Sequence, residues 1–319
     1  MSGHSTLALD AGQTGIRTLL ISVGSQVPGS YPGLRTDTDL FPQLAHVIVD
    51  ALAQHDGPVT LSVGMTGLTA ANSKPTELLS LLPARVDRVF LAHDSVTGFL
   101  GSIGLGKGVM TAVGTGVVTL GVGTSAIARV DGWGNLIGDA GSAYWIGRAG
   151  LEAGMRAYDG RLESPAMLSL VTDNFSHPEE AYIDLQTSSD RVARIASFAR
   201  AVSDLAEHDD IAADIMRSAG RELAASALAA ARRVGLLDYV ADGRGDAATG
   251  EEGAGPRFSW TGNVMKSDLL RETFISEVSA AVPRAVLAPP VAEPVDGVAL
   301  LEHVPNESPL QSAIHEAHR

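Results

Sequence analysis

The sequence contains no cysteine. This absence excludes disulfide bonds, thiolate zinc sites, iron–sulfur clusters held by cysteine and cysteine nucleophiles. Basic residues are also scarce, since 23 Lys and Arg stand against 37 Asp and Glu and give a formal net charge of −14 at pH 7. A surface of this sign repels phosphate backbones and anionic head groups, so we expect neither nucleic acid nor a membrane as a partner. A cytoplasmic protein is the simplest expectation.

Long apolar segments are missing as well. The first residues, MSGHSTLALDAG, lack the basic start and apolar run of a signal peptide. The uncharged stretch at residues 109–128 has transmembrane length, but nine of its twenty residues are Gly, Ser or Thr. It therefore predicts two strands joined by a turn. A chain of 319 residues, 45% apolar and 19% charged, is long enough for about two globular domains.

A small, polar turn follows the first apolar strand. The sequence LALDAGQTGIRTLLISVG, residues 7–24, predicts a β-hairpin in which Asp10 ends the first strand and Gly12, Gln13 and Thr14 lie in the turn. Backbone N–H groups and the Thr14 hydroxyl of such a turn can surround a phosphate, while Asp10 can hold a hydrated cation. A plain hairpin with an aspartate in its turn is the alternative, because short D-x-G-x-T matches are common.

A second stretch with the same pattern occurs about a hundred residues later. Residues 112–122, AVGTGVVTLGV, place Gly114, Thr115 and Gly116 between two apolar strands. An internal repeat on this scale predicts two related domains, each of which offers a glycine turn to a shared cleft.

Two more glycine-bearing segments belong to this pattern. Thr261-Gly262-Asn263 follows another predicted strand and precedes a predicted helix. Residues 101–108, GSIGLGKG, satisfy G-x-x-x-x-G-K, but Gly108 stands where a P-loop needs Ser or Thr. We interpret this segment as a turn or a connection between domains.

The predicted strand from Arg88 to Asp94 ends in a carboxylate. A carboxylate at a strand end beside a cleft can accept a proton from a substrate hydroxyl. The commoner role of an aspartate in this position is to cap the following helix.

The stretch Asp131 to Arg148, DGWGNLIGDAGSAYWIGR, contains five glycines, the isolated carboxylate of Asp139 and two of the three tryptophans. Glycines permit positive φ or close approach, and indole rings form rigid apolar walls. From Ala140 onward the residues favour a helix with Ser142 as its cap. The stretch therefore predicts a loop that enters a helix N-terminus, a place for a polar or anionic ligand. A turn that packs two tryptophans into a core is an equally good interpretation.

The rest of the chain predicts helices and two polar segments. Apolar residues at helical spacing predict packing helices around residues 192–202 and 209–234. Residues 241–256 hold five glycines and four acids and predict a mobile loop. The sequence from about His303 is polar and is expected to fray.

Together, the three glycine turns, the Asp94 strand end and the stretch from Asp131 resemble the N-acetylglucosamine kinase family. That family is grouped with the benzoyl-CoA reductase-type activator ATPases in the actin-like ATPase superfamily. The segment GWGNLIGDAGSAYWIG is the specific part of the resemblance, which covers most of the chain. It implies an α/β, two-domain actin-like ATPase (ribonuclease H-like) fold with a central nucleotide cleft, and domains at residues 1–103 and 104–319.

The resemblance also implies roles for individual residues. Asp94 would be the catalytic base, and Asp10 would hold Mg²⁺ through water. The ATP phosphates would lie against two turns, formed by Gly12, Gln13 and Thr14 and by Gly114, Thr115 and Gly116. Gly262 and Asn263 would face adenosine. The acceptor pocket would be formed by Gly132, Trp133, Gly134 and Asp139. For Asp139, a helix-capping role is an equal alternative.

The implied function is an ATP-dependent amino-sugar kinase, which transfers a phosphoryl group from MgATP to the 6-OH of N-acetylglucosamine or glucosamine. We expect a homodimer with a small-molecule sugar substrate. The alternative is a non-catalytic or sugar-independent nucleotide-binding actin-like module. An activator ATPase that serves electron transfer is nearly excluded, since such activators hold an iron–sulfur cluster on cysteines.

The acceptor sugar is not identified by the sequence. Family members usually have an asparagine in the loop after the first hairpin, whereas the first asparagine here is Asn72. Val130 and Asp131 stand where relatives that bind an N-acetyl group have small or cysteine residues.

Overall fold

The structure is a computed structural model that describes residues 4–35, 38–69, 72–237 and 255–319. These residues form two compact units, which we call unit 1 and unit 2. Unit 1 contains Met1–Lys107, Val122–Ile127 and Pro289–Arg319, and unit 2 contains Gly108–Gly121 and Ala128–Ala288. The chain passes between the units at Lys107 and Gly108, within the glycine-rich segment interpreted as a connection.

Unit 1 is built on a six-stranded sheet. Its strands are β1 (Ser5–Ala11), β2 (Ile16–Ser22), β3 (Ser25–Tyr31), β4 (Val59–Met65), β5 (Val86–His93) and β11 (Ile314–His318). They lie in the order β11-β5-β4-β1-β2-β3, with β4 parallel to both β1 and β5. All seven residues of β4 are buried, as expected for the apolar sequence VTLSVGM in a central position.

Helices and an apolar core complete unit 1. The helices are α1 (Leu40–Ala51), α2 (Pro75–Ser80), α3 (Asp94–Ile103) and α10 (Pro294–Ala299), with 3₁₀ turns at Leu301–His303 and Pro309–Ala313. Leucine, isoleucine and valine side chains of the sheet pack with the apolar face of α1. Of the ten residues of α3, nine are buried.

Strand β3 is not among the elements that the sequence analysis predicted. β3 pairs antiparallel with β2 at the edge of the sheet, and most of its residues are exposed. Its sequence, SQVPGSY, contains Pro28 and Gly29 and lacks the apolar alternation that marks a half-buried strand.

The residues from Pro289 onward return to unit 1, while the expected domains at residues 1–103 and 104–319 stay a prediction. They also end in ordered structure where fraying was expected, since β11 pairs antiparallel with β5. The Arg319 side chain donates hydrogen bonds to the backbone oxygens of Leu79 (2.9 Å), Leu82 (2.7 Å) and Val86 (3.0 Å). Pairing and anchoring of this kind cannot be read from local polarity.

A five-stranded sheet, built mainly from unit 2, repeats the strand arrangement of the unit 1 sheet. Its strands are β6 (Gly108–Val113), β7 (Val117–Val122), β8 (Ile127–Val130), β9 (Arg257–Thr261) and β10 (Val286–Leu287). Their order, β10-β9-β6-β7-β8, matches β5-β4-β1-β2-β3 of the first sheet. The parallel pairs also match, since β9 is parallel to β6 and to β10. The predicted internal repeat is confirmed at the level of topology.

Helices form the remainder of unit 2. They are α4 (Ala143–Tyr158), α5 (Pro165–Thr172), α6 (Ala181–Thr187), α7 (Arg191–Leu205), α8 (Asp210–Arg233) and α9 (Asp268–Ala281), with 3₁₀ turns at Pro178–Glu180 and Asn263–Lys266. The predicted packing helices correspond to α7 and α8, whose buried faces are rich in alanine. No helix in the described ranges is long and apolar enough to cross a membrane. Residues 241–254 of the predicted loop lie outside the described residues.

Candidate functional site

Two aspartates share a cavity in unit 1. Asp10 lies near the end of β1, and Asp94 is the first residue of α3, directly after β5. Because β1, β4 and β5 are parallel, their carboxyl ends lie at the same edge of the sheet. Both aspartates line a cavity of about 460 Å³, together with Ala11, Gly12, Thr14, Gly15, Ile16, Arg17 and Ser30.

The charge in this cavity is only partly balanced. The pKa of Asp10 is raised to about 6, first by burial and then by the negative charge of Asp94, while the Arg17 guanidinium opposes the shift. Arg17 faces Asp10 across the β1–β2 pair, but it is exposed and also lies 3.7 Å from Glu293.

A hydrated divalent cation fits these donors. Mg²⁺ prefers carboxylate oxygens, and it is commonly held by one or two of them together with water and phosphate. The described residues contain no group of three or more metal-ligating side chains, so they provide no all-protein cage. The cavity is therefore suited to a cation that keeps much of its own hydration shell, while the role of Asp10 in holding it stays a prediction.

The first glycine turn borders this cavity. Its ends are joined by a hydrogen bond from Gly12 N to Gly15 O (3.0 Å), and Gln13 and Thr14 are exposed. Gly33, which the sequence analysis did not single out, packs against the turn so closely that a Cβ there would lie 2.0 Å from Gln13 O. The turn is thus supported from one side and accessible at Gln13 and Thr14.

Asp94 does not cap the helix that it begins. The cap of α3 is the side chain of His93, whose Nδ1 accepts a hydrogen bond from Ser95 N (3.1 Å). The helix-capping alternative for Asp94 is therefore wrong. Its carboxylate is 38% exposed, lines the cavity and has His93 Nδ1 2.9 Å from Oδ1. Sequence reasoning missed His93, because histidine is not among the usual capping residues.

The second glycine turn is fastened to the start of α4. Ala143 N donates to Gly114 O (3.0 Å) and Tyr144 N donates to Thr115 O (3.1 Å), while Ser142 Oγ accepts from the third amide of the helix (3.2 Å). The predicted Ser142 cap is confirmed. The first N–H groups of α4 are therefore occupied, which corrects the expectation that this helix N-terminus is open to an anionic ligand.

The segment between β8 and α4 is a closed loop, residues 131–140, which we call the tryptophan loop. The carboxylate of Asp131 accepts hydrogen bonds from the N–H groups of Gly132 (2.7 Å), Asp139 (2.7 Å) and Ala140 (3.0 Å). Asp131 and Asp139 both adopt positive φ, 57° and 60°. Asp131 thus joins the two ends of the loop, a role that the sequence analysis did not predict.

Asp139 lies against the second glycine turn. A Cβ at Gly116 would be 2.7 Å from Asp139 Oδ2, and Oδ1 accepts a long hydrogen bond from Val117 N (3.4 Å). Burial raises the pKa of Asp139, and the Val117 N–H group opposes that shift. This position links the carboxylate to the turn, whereas its expected contact with an acceptor sugar stays a prediction.

Trp133 is a surface residue of the tryptophan loop. Its side chain is 55% exposed, so the alternative of a core tryptophan is wrong for this position. The Arg129 guanidinium stacks 4.9 Å from the ring centroid and donates hydrogen bonds to the backbone oxygens of Asp131 (3.3 Å) and Gly132. Arg129 therefore holds both the indole ring and the backbone that carries it.

The third glycine turn approaches the second one. Gly262 follows β9 with φ +102°, and a Cβ there would lie 2.1 Å from Val113 O, one residue before Gly114. Asn263 is exposed at the start of a 3₁₀ turn. Within unit 2 the structure places Asp139 against Gly116 and Gly262 against Val113, the residue before Gly114.

Solved structures share the overall fold. A protein from Chromobacterium violaceum, described as a candidate N-acetylglucosamine kinase, aligns with a TM-score of 0.71 at 21% identity, over 93% of this chain and 98% of that one. A protein from Porphyromonas gingivalis with the same description gives 0.69 at 17% identity and the same coverage. A ROK hexokinase from Thermus thermophilus gives 0.53 at 14% identity, over 97% and 99% of the two chains. The expected two-unit α/β fold of the actin-like ATPases is confirmed.

Sequence comparison adds a curated relative and a family. An N-acetylmuramic acid/N-acetylglucosamine kinase from Clostridium acetobutylicum is 29% identical over 140 residues, which are 43% of this chain and 46% of the relative. The match thus spans less than half of that relative's length. The BadF/BadG/BcrA/BcrD ATPase family matches residues 53–301, which is most of the chain. By this match, the protein belongs to the BadF/BadG/BcrA/BcrD ATPase family.

Proposed function

We propose that this protein is an ATP-dependent carbohydrate kinase that phosphorylates an amino sugar. The observation that carries the proposal is the pair Asp10 and Asp94, which line one cavity with an exposed glycine turn. Phosphoryl transfer needs a base for the acceptor hydroxyl, a holder for Mg²⁺ and donors for the phosphates, and these residues supply such groups. Family membership and the names of the relatives agree with this chemistry.

Asp94 is assigned as the general base. Its carboxylate accepts the proton of the acceptor hydroxyl as that oxygen forms a bond to the γ-phosphorus of ATP, and ADP leaves with the electron pair of the broken P–O bond. Assistance of this kind contributes roughly 10² to 10⁴ in rate. Holding the acceptor hydroxyl in line with the γ-phosphate contributes a further part of the rate enhancement.

Nucleotide contacts are assigned to Asp10 and to the glycine turns. Asp10 would hold Mg²⁺, which neutralises charge on the transferred phosphoryl group. Gln13 and Thr14 are exposed in the first turn and Thr115 is exposed in the second, so their backbone N–H groups are available for phosphate oxygens, whereas the Gly114 N–H group donates to Gly116 O. Gly12 and Gly116 shape these turns, and Gly262 with Asn263 would face adenosine.

The acceptor is assigned to the tryptophan loop. Trp133, between Gly132 and Gly134, offers an exposed aromatic face suited to a sugar ring. Asp139 is proposed to contact sugar hydroxyls in addition to the second turn. The names of the relatives support N-acetylglucosamine or N-acetylmuramic acid as the acceptor. The proposed reacting group is the 6-OH, and glucosamine is a further candidate. A homodimer in the cytoplasm is part of the proposal.

A coupled ATP-consumption assay across amino sugars and plain hexoses tests the proposed function. We expect an amino sugar to stimulate ADP release above the basal rate and to yield a sugar phosphate detectable by mass spectrometry. ATP hydrolysis that no sugar stimulates would favour the nucleotide-binding module instead.

The variant Asp94→Asn tests the assignment of the base. It removes the proton acceptor with little change in shape, so kcat should fall by about 10² or more while ATP binding stays within about threefold of wild type. Asp204→Asn, at an exposed carboxylate of α7, is the control and should leave kcat unchanged. Turnover of Asp94→Asn close to wild type would reject Asp94 as the base.

A further inference from the structure

Arg129 is exposed to solvent but is held in place beside the tryptophan loop. Its guanidinium stacks 4.9 Å from the centroid of the Trp133 ring, and its Nε and Nη2 atoms donate hydrogen bonds to the backbone oxygens of Asp131 and Gly132. The backbone oxygen of Arg129 accepts a hydrogen bond from Arg233 Nη1 (2.8 Å), at the end of α8. The side chain is therefore fixed at its base and at its tip.

These contacts use only one edge of the guanidinium. The group carries five N–H donors in a planar fork, and Nε and Nη2 share one edge of that fork. Because this edge is turned toward the two backbone oxygens, the Nη1 N–H groups of Arg129 have no hydrogen-bond partner among the residues that the structure describes. The outer edge, formed by Nη1 and Nη2, matches the two oxygens of a carboxylate.

The charge of Arg129 faces outward without an ion-pair partner. Arg129 forms no ion pair within the described part of the chain. Asp131 and Asp139 belong to the same loop, but both are buried, with exposed fractions of 9% and 8%. The carboxylate of Asp131 is occupied by three backbone N–H groups, and Asp139 Oδ1 accepts a hydrogen bond from Val117 N. Arg129 is thus the charged group that a ligand on the outside of this loop meets.

The same charge acts on the residue proposed to contact sugar hydroxyls. Burial raises the pKa of Asp139, and the Arg129 guanidinium is among the groups that oppose this rise. Arg129 therefore lies within electrostatic range of the proposed acceptor pocket. Because its side chain is already fixed, binding an anion there costs little additional conformational entropy.

We propose that Arg129 is a specificity-determining residue that selects an acceptor sugar with a carboxylate. The inference rests on the proposed function, in which Trp133 offers its aromatic face to the acceptor. The guanidinium covers one face of the indole ring, so the sugar stacks on the other face. An acidic substituent of the sugar then extends past the ring edge to the outer edge of Arg129. N-acetylmuramic acid has such a group, a lactyl ether whose carboxylate is ionised at neutral pH.

Three sugars separate recognition of charge from recognition of shape. They are N-acetylmuramic acid, its methyl ester and N-acetylglucosamine. The ester keeps the shape of the lactyl group without its charge. We expect isothermal titration calorimetry to show that the wild type binds the acid about tenfold more tightly than the ester. This preference should shrink as salt is raised, because Arg129 is exposed.

Substitutions of Arg129 test whether it is the source of the preference. In Arg129→Gln the acid and the ester should bind within about twofold of each other, and Arg129→Lys, which keeps the charge but loses the fork, should retain a preference of about threefold. A displaced Trp133 would weaken all three sugars alike, so the ratio of acid to ester reports on the charge. Arg200→Gln, at an exposed arginine of α7, is the matched control and should keep the wild-type ratio.

A wild type that binds the acid no more tightly than the ester, or does not bind it, would overturn the proposal. An unchanged ratio in Arg129→Gln would overturn it as well. The titrations need no turnover, so this outcome is distinct from failure of the proposed function, which would appear as ATP consumption that no sugar stimulates.

Discussion

The two glycine turns look alike in sequence but are supported differently. The first, Gly12 to Gly15, borders a cavity with two carboxylates and is packed from one side by Gly33. The second, Gly114 to Gly116, is hydrogen-bonded to the first amides of α4 and is contacted by the carboxylate of Asp139.

This difference indicates different roles for the two glycine turns of the repeat. Both turns close with a backbone hydrogen bond between glycines, 3.0 Å in the first and 2.9 Å in the second. Beside the first turn, the pKa of Asp10 is raised by burial and by the charge of Asp94, and both carboxylates line a cavity. Beside the second turn, burial raises the pKa of Asp139, but its carboxylate accepts a hydrogen bond from Val117 N. The following predictions test this contrast.

The largest effect is expected at Gly262, which packs against the strand that leads into the second turn. In Gly262→Ala, a Cβ would lie 2.1 Å from Val113 O at a positive φ of 102°, so the backbone must move. We expect a loss of about 3 kcal/mol or more in unfolding free energy. Gly134→Ala is the control, since its φ is +84° but nothing lies within 4 Å of its Cβ, and it should cost only about 1 kcal/mol. If urea denaturation gave equal losses of unfolding free energy for the two variants, the close contact with Val113 O would not be the cause of the loss.

Asp131→Ala should have the next largest effect. It leaves three N–H groups of the tryptophan loop without their charged acceptor, which we expect to cost on the order of 3 kcal/mol. The KM for the acceptor sugar should rise more than the KM for ATP, because Trp133 is carried by this loop. Asp159→Ala removes an exposed carboxylate paired with Arg161 and serves as the control with a small effect. An unchanged thermal midpoint in Asp131→Ala would contradict the role of Asp131 in joining the loop ends.

Asp10→Asn should stabilise the protein at neutral pH. The pKa of Asp10 is raised from 3.8 to about 6, so the folded protein binds this proton more tightly than the unfolded chain and loses stability as pH rises from about 4 to 6. Removing the carboxylate should relieve on the order of 2 kcal/mol above pH 6 and almost nothing below pH 4.

Thermal denaturation across this pH range measures the effect. Mg²⁺ should raise the midpoint of the wild type above pH 6 and leave that of Asp10→Asn unchanged. A difference between the two proteins that did not depend on pH would argue against the raised pKa.

The smallest effect compares the two turns directly. Gly116→Ala places a Cβ 2.7 Å from Asp139 Oδ2, whereas the nearest atom to a Cβ at Gly12 is Gly15 O at 3.5 Å. We expect Gly116→Ala to raise the KM for ATP by about tenfold, because its Cβ must displace the buried carboxylate of Asp139. Gly12→Ala displaces no carboxylate and should raise the KM by less than about threefold. Equal effects of the two substitutions on steady-state kinetics would mean that the supports of the turns do not differ in function.

Much of the fold could be predicted because its signals are local. Apolar periodicity located β1, β5 and the long helix α8, and Ser142 was recognised as a cap because serine is a preferred residue there. β3 was missed because an exposed edge strand with Pro28 has no such pattern. The ordered end at β11 was missed because its pairing with β5 joins residues more than two hundred positions apart.

The sequence by itself determined the repeat, the glycine turns and the candidate carboxylates, because each is encoded by the type and spacing of neighbouring residues. Only the tertiary structure decided what those groups contact. It placed Asp10 and Asp94 in one cavity, gave the cap of α3 to His93, occupied the start of α4 with the second turn and set Asp139 against Gly116. These contacts depend on strand order and on backbones that approach within hydrogen-bond distance, which the order of residues along the chain does not state.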